Sequence, residues 1–119
     1  MRTLIIVPTH NEAANIASVI HRIRDAVPSA DVMVIDDMST DATRTIVREH
    51  AATDDHVRLE PREVKRGLGD AHLHAFAIGL REGYDALVEI DADLSHDPAD
   101  LPMMLDLAER GIALVIGSR

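Results

Sequence analysis

The sequence predicts an α/β fold with an open, mainly parallel sheet and helices on both faces. Five short apolar segments, rich in β-branched residues, run almost without polar interruption, which is typical of parallel strands covered on both faces. Segments with the apolar spacing of helices lie between them, so strand and helix alternate strictly. This alternation favours parallel strands joined by right-handed crossovers.

The individual elements follow from local patterns. The predicted strands cover residues 3–7, 32–35, 57–59, 86–90 and 113–116. The predicted helices cover residues 16–27, 43–50, 68–83 and 98–108, and the third is rich in alanine. Asn11 is the expected cap of the first helix, and Ser39 or Thr40 that of the second, because short polar side chains accept backbone N–H bonds. Asp97 caps the fourth helix, with Pro98 in its first turn.

The composition excludes several classes of function. A chain of 119 residues suits one domain, and its formal charge of −9 argues against nucleic-acid binding, which normally requires a basic face. Cysteine is absent, so disulfides, thiolate nucleophiles and cysteine-bound zinc are excluded. No apolar run approaches the roughly 20 residues that span a bilayer, and nothing resembles a signal peptide. We therefore expect a soluble protein, and the cysteine-free composition fits a reducing compartment.

Two carboxylates follow the fourth predicted strand, in the sequence Asp91-Ala92-Asp93. In an extended backbone alternate residues point the same way, about 7 Å apart along the strand. Without a cation, like charges this close repel by roughly 1–4 kcal/mol, depending on the local dielectric. A hard cation such as Mg²⁺ or Mn²⁺, carrying a phosphate ligand, would remove that repulsion. The alternative interpretation is an acidic strand-to-loop turn without a ligand.

Polar loops follow four of the five predicted strands, at residues 8–12, 36–39, 91–98 and 117–119. The carboxyl ends of parallel strands lie at one edge of a sheet, where open α/β folds bind their ligands. The sequence therefore predicts that these four loops form one site.

Five motifs occur in chain order: Val7-Pro-Thr-His-Asn-Glu12, Val34-Ile-Asp-Asp37, Lys65-Arg-Gly-Leu-Gly69, Asp91-Ala-Asp-Leu-Ser-His-Asp-Pro98 and Gly117-Ser-Arg119. Together they resemble the family 2 glycosyltransferases of GT-A fold, most closely the dolichol- or polyprenol-phosphate mannose synthases. The resemblance covers the whole chain. It implies a Rossmann-like, nucleotide-sugar-binding α/β domain over residues 1–119.

The resemblance also implies a reaction. GDP-mannose would donate mannose to a polyprenyl (dolichyl) phosphate with inversion, GDP would leave, and Mg²⁺ or Mn²⁺ would be the cofactor. The acceptor implies a peripheral enzyme at the cytoplasmic face of a membrane. A phosphate acceptor is already anionic near neutral pH, so we assign no catalytic base.

The resemblance assigns the first group of site residues to the nucleotide. Pro8, His10 and Glu12 would line the base pocket, and Asp37, with Asp36, would reach the base or the ribose. A carboxylate suits this role because it accepts hydrogen bonds from N–H and O–H groups. The alternative interpretation of the paired acids is a helix-capping turn.

A second group of site residues would bind the metal and the diphosphate. Asp91 and Asp93 would be the catalytic metal ligands, and Ser95 stands where some relatives place a further metal contact. The remaining nucleotide contacts that the resemblance implies are Lys65, Ala92 and Arg119. A solvated basic turn is the alternative for Lys65, and a charged chain end is the alternative for Arg119.

Members of the family run well past the Gly-Ser-Arg motif, so we expect the acceptor half to be supplied by a further segment or by a partner chain. The rival interpretation is a noncatalytic nucleotide-binding module. A signalling receiver domain has similar length and alternation, but it needs paired acids after strand one and a lysine after strand five. This sequence has Pro8-Thr-His-Asn-Glu12 and Gly117-Ser-Arg119 at those points.

Overall fold

Strands and helices alternate along the chain in the computed structural model, which describes residues 2–63, 68–95 and 97–109, with side chains left undescribed at 68–72 and 107–109. The elements are β1 (Thr3–Thr9), α1 (Ile16–Ala26), β2 (Asp31–Asp37), α2 (Thr43–Thr53), β3 (Val57–Arg62), α3 (Leu68–Arg81), β4 (Ala86–Glu89) and α4 (Leu101–Glu109), which a 3₁₀ turn, Pro98–Asp100, precedes. The predicted fifth strand, 113–116, lies outside the described residues. No described helix is long and apolar enough to cross a membrane.

The described strands form one parallel sheet in the order β3-β2-β1-β4. The central strand β1 pairs with β2 on one side and with β4 on the other. Because every described strand runs in the same direction, all their carboxyl ends lie at one edge. The predicted open, parallel α/β architecture is confirmed.

Apolar cores cover both faces of this sheet, because successive side chains of a strand point to opposite sides. Ile5 and Val7 of β1 pack with α1, α2 and α4, whereas Leu4 and Ile6 pack with α3. All four side chains are fully buried. Burying an aliphatic side chain of this size contributes roughly 1.5–3 kcal/mol. Helices therefore lie on both faces, as the near-continuous apolar runs predict.

The caps predicted for the first two helices are wrong. Helix α1 follows Asn15 and helix α2 follows Ala42, and neither residue caps its helix with a side-chain hydrogen bond. Asn11 instead adopts a left-handed conformation with φ 54°, and its side chain bonds the loop after β2. Ser39 bonds the carboxylate of Asp36. Ser39 Oγ also accepts the backbone N–H of Asn11, so the two loops bind each other at the sheet edge and neither side chain caps its own helix.

The predicted start of the fourth helical segment is confirmed. Asp97 Oδ1 accepts a hydrogen bond from Ala99 N at 2.9 Å, and Pro98 is the first residue of the 3₁₀ turn. Proline costs nothing there, because the first N–H groups of a helix have no partner inside the helix. The turn then continues directly into α4.

Helix α3 approaches the sheet closely at Gly79. A Cβ placed on this residue would lie 2.4 Å from Leu87 Cδ2 and 3.4 Å from Leu4 Cδ2. The absence of a side chain therefore sets the distance between α3 and the two strands that it covers.

We expect Gly79→Val to lower the free energy of unfolding by roughly 1–3 kcal/mol, because added methyl groups overpack this contact. Ala77→Val is the matched control, since residue 77 is exposed on the same helix. Urea denaturation of both variants measures the difference. Equal destabilisation by the two valines would contradict a close helix-sheet contact at residue 79.

Candidate functional site

The parallel register brings three polar loops to the same edge of the sheet. Thr9 at the end of β1 pairs with Asp36 of β2, and Ile6 pairs with Glu89 at the end of β4. Asp91 therefore emerges beside the last residues of β1. The prediction of a shared edge is confirmed for these three loops. The fourth polar loop, residues 117–119, lies outside the described residues.

Asn11 ties the loop after β1 to the loop after β2. Its Oδ1 accepts hydrogen bonds from the backbone N–H groups of Thr40, at 2.8 Å, and Asp41, at 3.3 Å. Its own backbone N donates to Ser39 Oγ at 2.8 Å. Asp41 Oδ2 in turn accepts from the backbone of Ala13 at 3.2 Å. Bonds in both directions make the two loops one unit.

His10 and Glu12 add to this connection from the predicted base pocket. His10 is exposed, and its Nδ1 donates to the carbonyl oxygen of Asp37 at 2.7 Å. In the neutral ring this donation leaves Nε2 as a hydrogen-bond acceptor. The backbone N of Glu12 donates to Thr43 Oγ1 at 2.9 Å. Pro8, the third predicted residue of the pocket, is half-buried within β1 and pairs with Ile35.

Asp36 is fully buried, and protein donors surround its carboxylate. Oδ1 accepts from Thr9 Oγ1 at 2.6 Å and from Ser39 Oγ at 2.5 Å. Oδ2 accepts from Ser39 N at 3.1 Å and from Arg44 Nε at 2.6 Å. Burial alone would raise the pKa of Asp36, but the hydrogen bonds from Ser39, Thr9 and Arg44 hold that pKa below its ordinary value of 3.8. This geometry favours a supporting role over direct contact with a nucleotide.

Asp37 differs from Asp36 in its hydrogen bonding. It is half-buried, and its Oδ1 is buried without a hydrogen-bond partner among the described residues. Its neighbour Met38 has a left-handed φ of 55° and donates its N–H to the carbonyl oxygen of Arg62 at 3.3 Å. A buried oxygen left unsatisfied normally costs free energy, so Asp37 fits a residue that accepts a hydrogen bond from a ligand.

The Asp91–Asp93 segment lies in a turn, so the extended geometry assumed from the sequence is wrong. Strand β4 ends at Glu89, and residues 92 and 93 already belong to the turn. The side chain of Ala92 is only 4% exposed and packs into the same core as Val88 and Ile90, so it anchors the start of the turn. Asp91 is half-buried and Asp93 exposed.

The conformation of this turn depends on the residues that follow Asp93. Asp93 Oδ1 accepts from the backbone N of Ser95 at 2.9 Å, and Leu94 between them has a left-handed φ of 65°. The side chain of Ser95 is exposed. Its predicted contact with a metal stays a prediction.

Glu89 is a buried acid that the sequence prediction missed. It is 5% exposed, and burial, with a smaller effect of the Asp91 charge, raises its pKa to about 7. The signal in the sequence is a glutamate within an apolar strand, two residues before Asp91. Near neutral pH its partial protonation limits the negative charge that accumulates under the turn.

The carboxylate oxygens of Asp91 and Asp93 are ligands of the type that hard divalent cations prefer. Among the described residues, no group of three or more histidine, aspartate and glutamate side chains forms a metal cage. A cation held here would take two ligands from Asp91 and Asp93, and phosphate oxygens and water would supply the others. This pattern suits Mg²⁺ or Mn²⁺ bound together with a diphosphate, since Mg²⁺ commonly binds through one or two carboxylates and substrate phosphates.

Two predicted phosphate-binding residues, Lys65 and Arg119, lie outside the described residues.

Sequence reasoning also missed Arg44, which contacts the buried carboxylate of Asp36. The signal for it was available, because a cation in the first turn of a helix is electrostatically unfavourable and therefore calls for a partner.

The fold is that of a glycosyltransferase domain. The family model described as Glycosyl transferase family 2 matches residues 4–119. The chain belongs to this family, and the resemblance seen in its five motifs is confirmed.

Curated relatives point in the same direction. Undecaprenyl-phosphate mannosyltransferase from Micrococcus luteus is 49% identical over 119 residues, covering 100% of this chain and 49% of that protein. Polyprenol monophosphomannose synthase from Mycolicibacterium smegmatis is 45% identical, covering 99% of this chain and 45% of that protein. The chain thus spans about half the length of these relatives.

Solved structures confirm the GT-A fold. Mannosyltransferase PcManGT from Pyrobaculum calidifontis, in complex with GDP-Man and Mn²⁺, has a TM-score of 0.65 and 31% identity, covering 83% of this chain and 29% of that one. Glucosyl-3-phosphoglycerate synthase from Mycobacterium tuberculosis, in complex with Mn²⁺, UDP and phosphoglyceric acid, has a TM-score of 0.73 and 25% identity, covering 90% and 38%.

We expect Asp36→Asn to lower the free energy of unfolding at pH 7 by about 2–4 kcal/mol, because an amide cannot accept all these hydrogen bonds and leaves Arg44 without its carboxylate. Asp25→Asn is the control, since the Asp25 side chain is 76% exposed. Chemical denaturation compares the two. A loss no larger than that of the control would contradict the buried network.

The same variant gives a pH test. Because the pKa of Asp36 is lowered in the folded protein, its stabilisation is present above the unfolded pKa and is lost as the pH falls through the folded pKa. We expect the stability difference between wild type and Asp36→Asn to narrow below about pH 4. Denaturation curves at successive pH values measure it. A difference that stays constant down to about pH 2 would contradict the lowered pKa.

Proposed function

We propose that residues 1–119 form the nucleotide-sugar-binding part of a glycosyltransferase that moves mannose from GDP-mannose to a polyprenyl phosphate with inversion. The observation that carries the proposal is the convergence, at one sheet edge, of the unpartnered Asp37 oxygen and the Asp91–Asp93 turn. The names of the relatives support the choice of sugar and acceptor, because mannose and a polyprenyl or undecaprenyl carrier occur in both of them.

The loops after β1 and β2 would bind the nucleoside. Asp37 Oδ1 would accept a hydrogen bond from an N–H of the base or from a ribose hydroxyl. His10 Nε2 offers a second acceptor nearby, because Nδ1 already donates to the carbonyl oxygen of Asp37. Pro8 and Glu12 would complete the pocket. In this proposal Asp36 acts by holding Asp37 and not by touching the ligand.

The turn after β4 would hold the diphosphate through a divalent cation. Asp91 and Asp93 would be its protein ligands, with Ser95 as a further contact and Ala92 anchoring the turn in the core. When bound, Mg²⁺ or Mn²⁺ supplies Lewis-acid stabilisation of the departing diphosphate. Lys65 and Arg119 remain predicted contacts of the same phosphates.

The transfer needs no base from the protein. A phosphate oxygen of the acceptor forms a bond to the anomeric carbon of mannose while the bond from that carbon to the diphosphate oxygen breaks, and GDP leaves. Attack from the side opposite the leaving group inverts the configuration. The acceptor oxygen is already charged near neutral pH, so the site has only to orient it.

The proposed acceptor is a lipid, so the reaction would take place at a membrane surface. The acceptor contacts would come from a further segment or a partner chain, because the chain spans about half the length of its curated relatives. The cytoplasmic face remains a prediction.

We expect Asp93→Ala, and separately Asp91→Asn, to abolish measurable metal-dependent transfer in the full-length protein, because each removes one of two protein ligands. The assay follows mannose transfer from GDP-mannose to a short polyprenyl phosphate with Mn²⁺ or Mg²⁺. Asp100→Asn, an exposed acid in the following 3₁₀ turn, is the control and should keep its activity.

Three outcomes would contradict parts of this proposal. Unchanged turnover in Asp93→Ala would contradict the metal role of this turn. GDP binding without transfer would leave the chain as a nucleotide-binding module. A preference for UDP-glucose over GDP-mannose would overturn the choice of donor.

A further inference from the structure

We propose that Arg44 is a positioning residue that holds Asp37 in the orientation in which it accepts a hydrogen bond from the nucleoside. The inference rests on the proposed nucleotide-binding function. It concerns a residue in the first turn of α2 that does not itself reach the ligand and acts through the ends of two strands.

One guanidinium group contacts both of these strand ends. Arg44 Nε donates to Asp36 Oδ2 at 2.6 Å, and its NH2 nitrogen donates to the carbonyl oxygens of Arg62, at 3.0 Å, and Asp36, at 3.4 Å. NH1 donates to Glu63 Oε1 at 2.5 Å. The side chain is 17% exposed, so most of these bonds are shielded from solvent. The bonds join the end of β2 to the end of β3.

The position of Arg44 in its helix supports a specific role. A cation in the first turn opposes the helix dipole, and α2 has no acidic residue in that turn to offset it. The carboxylate of Asp36 and the strand-end carbonyls supply the compensating interaction. Arg44 therefore does not stabilise its own helix at this position. Its bonds stabilise the ends of β2 and β3.

The contacts of Arg44 act on both neighbours of Asp37. On one side, Asp36 is held by its carboxylate and by its carbonyl oxygen. On the other side, Met38 donates its N–H to the carbonyl oxygen of Arg62, the same oxygen that accepts from Arg44. The peptide groups that flank Asp37 are thus fixed, and the unpartnered Oδ1 of Asp37 receives its direction from them.

Measuring the binding of the nucleoside and of the diphosphate separately distinguishes this role from a general effect on the fold. If Arg44 orients Asp37, its loss weakens binding of the nucleoside and leaves binding of the diphosphate at the β4 turn unchanged. A variant that merely loosened the domain would weaken both. Inorganic diphosphate with Mn²⁺ therefore serves as a probe of the phosphate half alone.

We expect Arg44→Met in the full-length protein to bind GDP with Mn²⁺ roughly tenfold more weakly, the size of effect of a lost charge-assisted hydrogen bond, while the affinity for inorganic diphosphate with Mn²⁺ stays unchanged. Arg44→Lys, which keeps the charge but loses the planar fork, should fall between. Asp37→Ala, which removes the accepting oxygen, should show the same selective loss, and adding Arg44→Met to it should cause no further loss of GDP affinity. Titration calorimetry measures all the affinities.

Arg48→Met is the matched control, since Arg48 is exposed on the same helix and should bind GDP like the wild type. If Arg44→Met does not fold, Arg44→Lys decides, and wild-type GDP affinity in that variant would overturn the proposal. Equal weakening of GDP and diphosphate, or losses that multiply in the double variant, would also overturn it. If Asp37→Ala binds GDP like the wild type, the nucleoside role of Asp37 fails together with this proposal.

Discussion

The buried carboxylate of Asp36 is the interaction on which the arrangement of the site depends. A charge removed from water is stable only where hydrogen-bond donors surround it. Here the donors come from β1, from the loop after β2 and from α2, through Thr9, Ser39 and Arg44. Satisfying one side chain therefore fixes three chain segments relative to one another. The adjacent acid, Asp37, is then presented with a buried oxygen that no residue in the described part of the chain hydrogen-bonds.

The fold was predictable because its causes are local and repetitive. The buried faces of strands and helices require apolar residues at regular spacings, which the sequence shows directly. A parallel sheet then places the carboxyl end of every strand at one edge. The caps of the first two helices were not predictable in the same way. The side chains of Asn11 and Ser39 are suited to capping, but they bind across the edge to residues distant in the sequence. Local propensity contains no information about such partners.

The candidate site was predictable in its location and less so in its division of roles. The motifs identify Asp36 and Asp37 as a pair, yet only the packing shows that one is enclosed by donors and the other is not. The turn at residues 92 and 93 includes a bond from Ser95 N to Asp93 Oδ1 and a left-handed Leu94, which the apolar pattern of the sequence does not indicate. The buried state of Glu89 is likewise a property of the assembled sheet rather than of its sequence neighbours.

Left-handed backbone at Asn11, Met38 and Leu94 has a consequence for engineering this protein. One such residue lies in each described loop at the sheet edge, and conformations of this kind in residues other than glycine cost roughly 1–3 kcal/mol each. The apolar layers beneath the edge offset that cost. The three left-handed residues thus shape the loops but lower the thermal stability of the domain. Selection for heat resistance alone would tend to relax these three positions and would change the shape of the loops that form the candidate site.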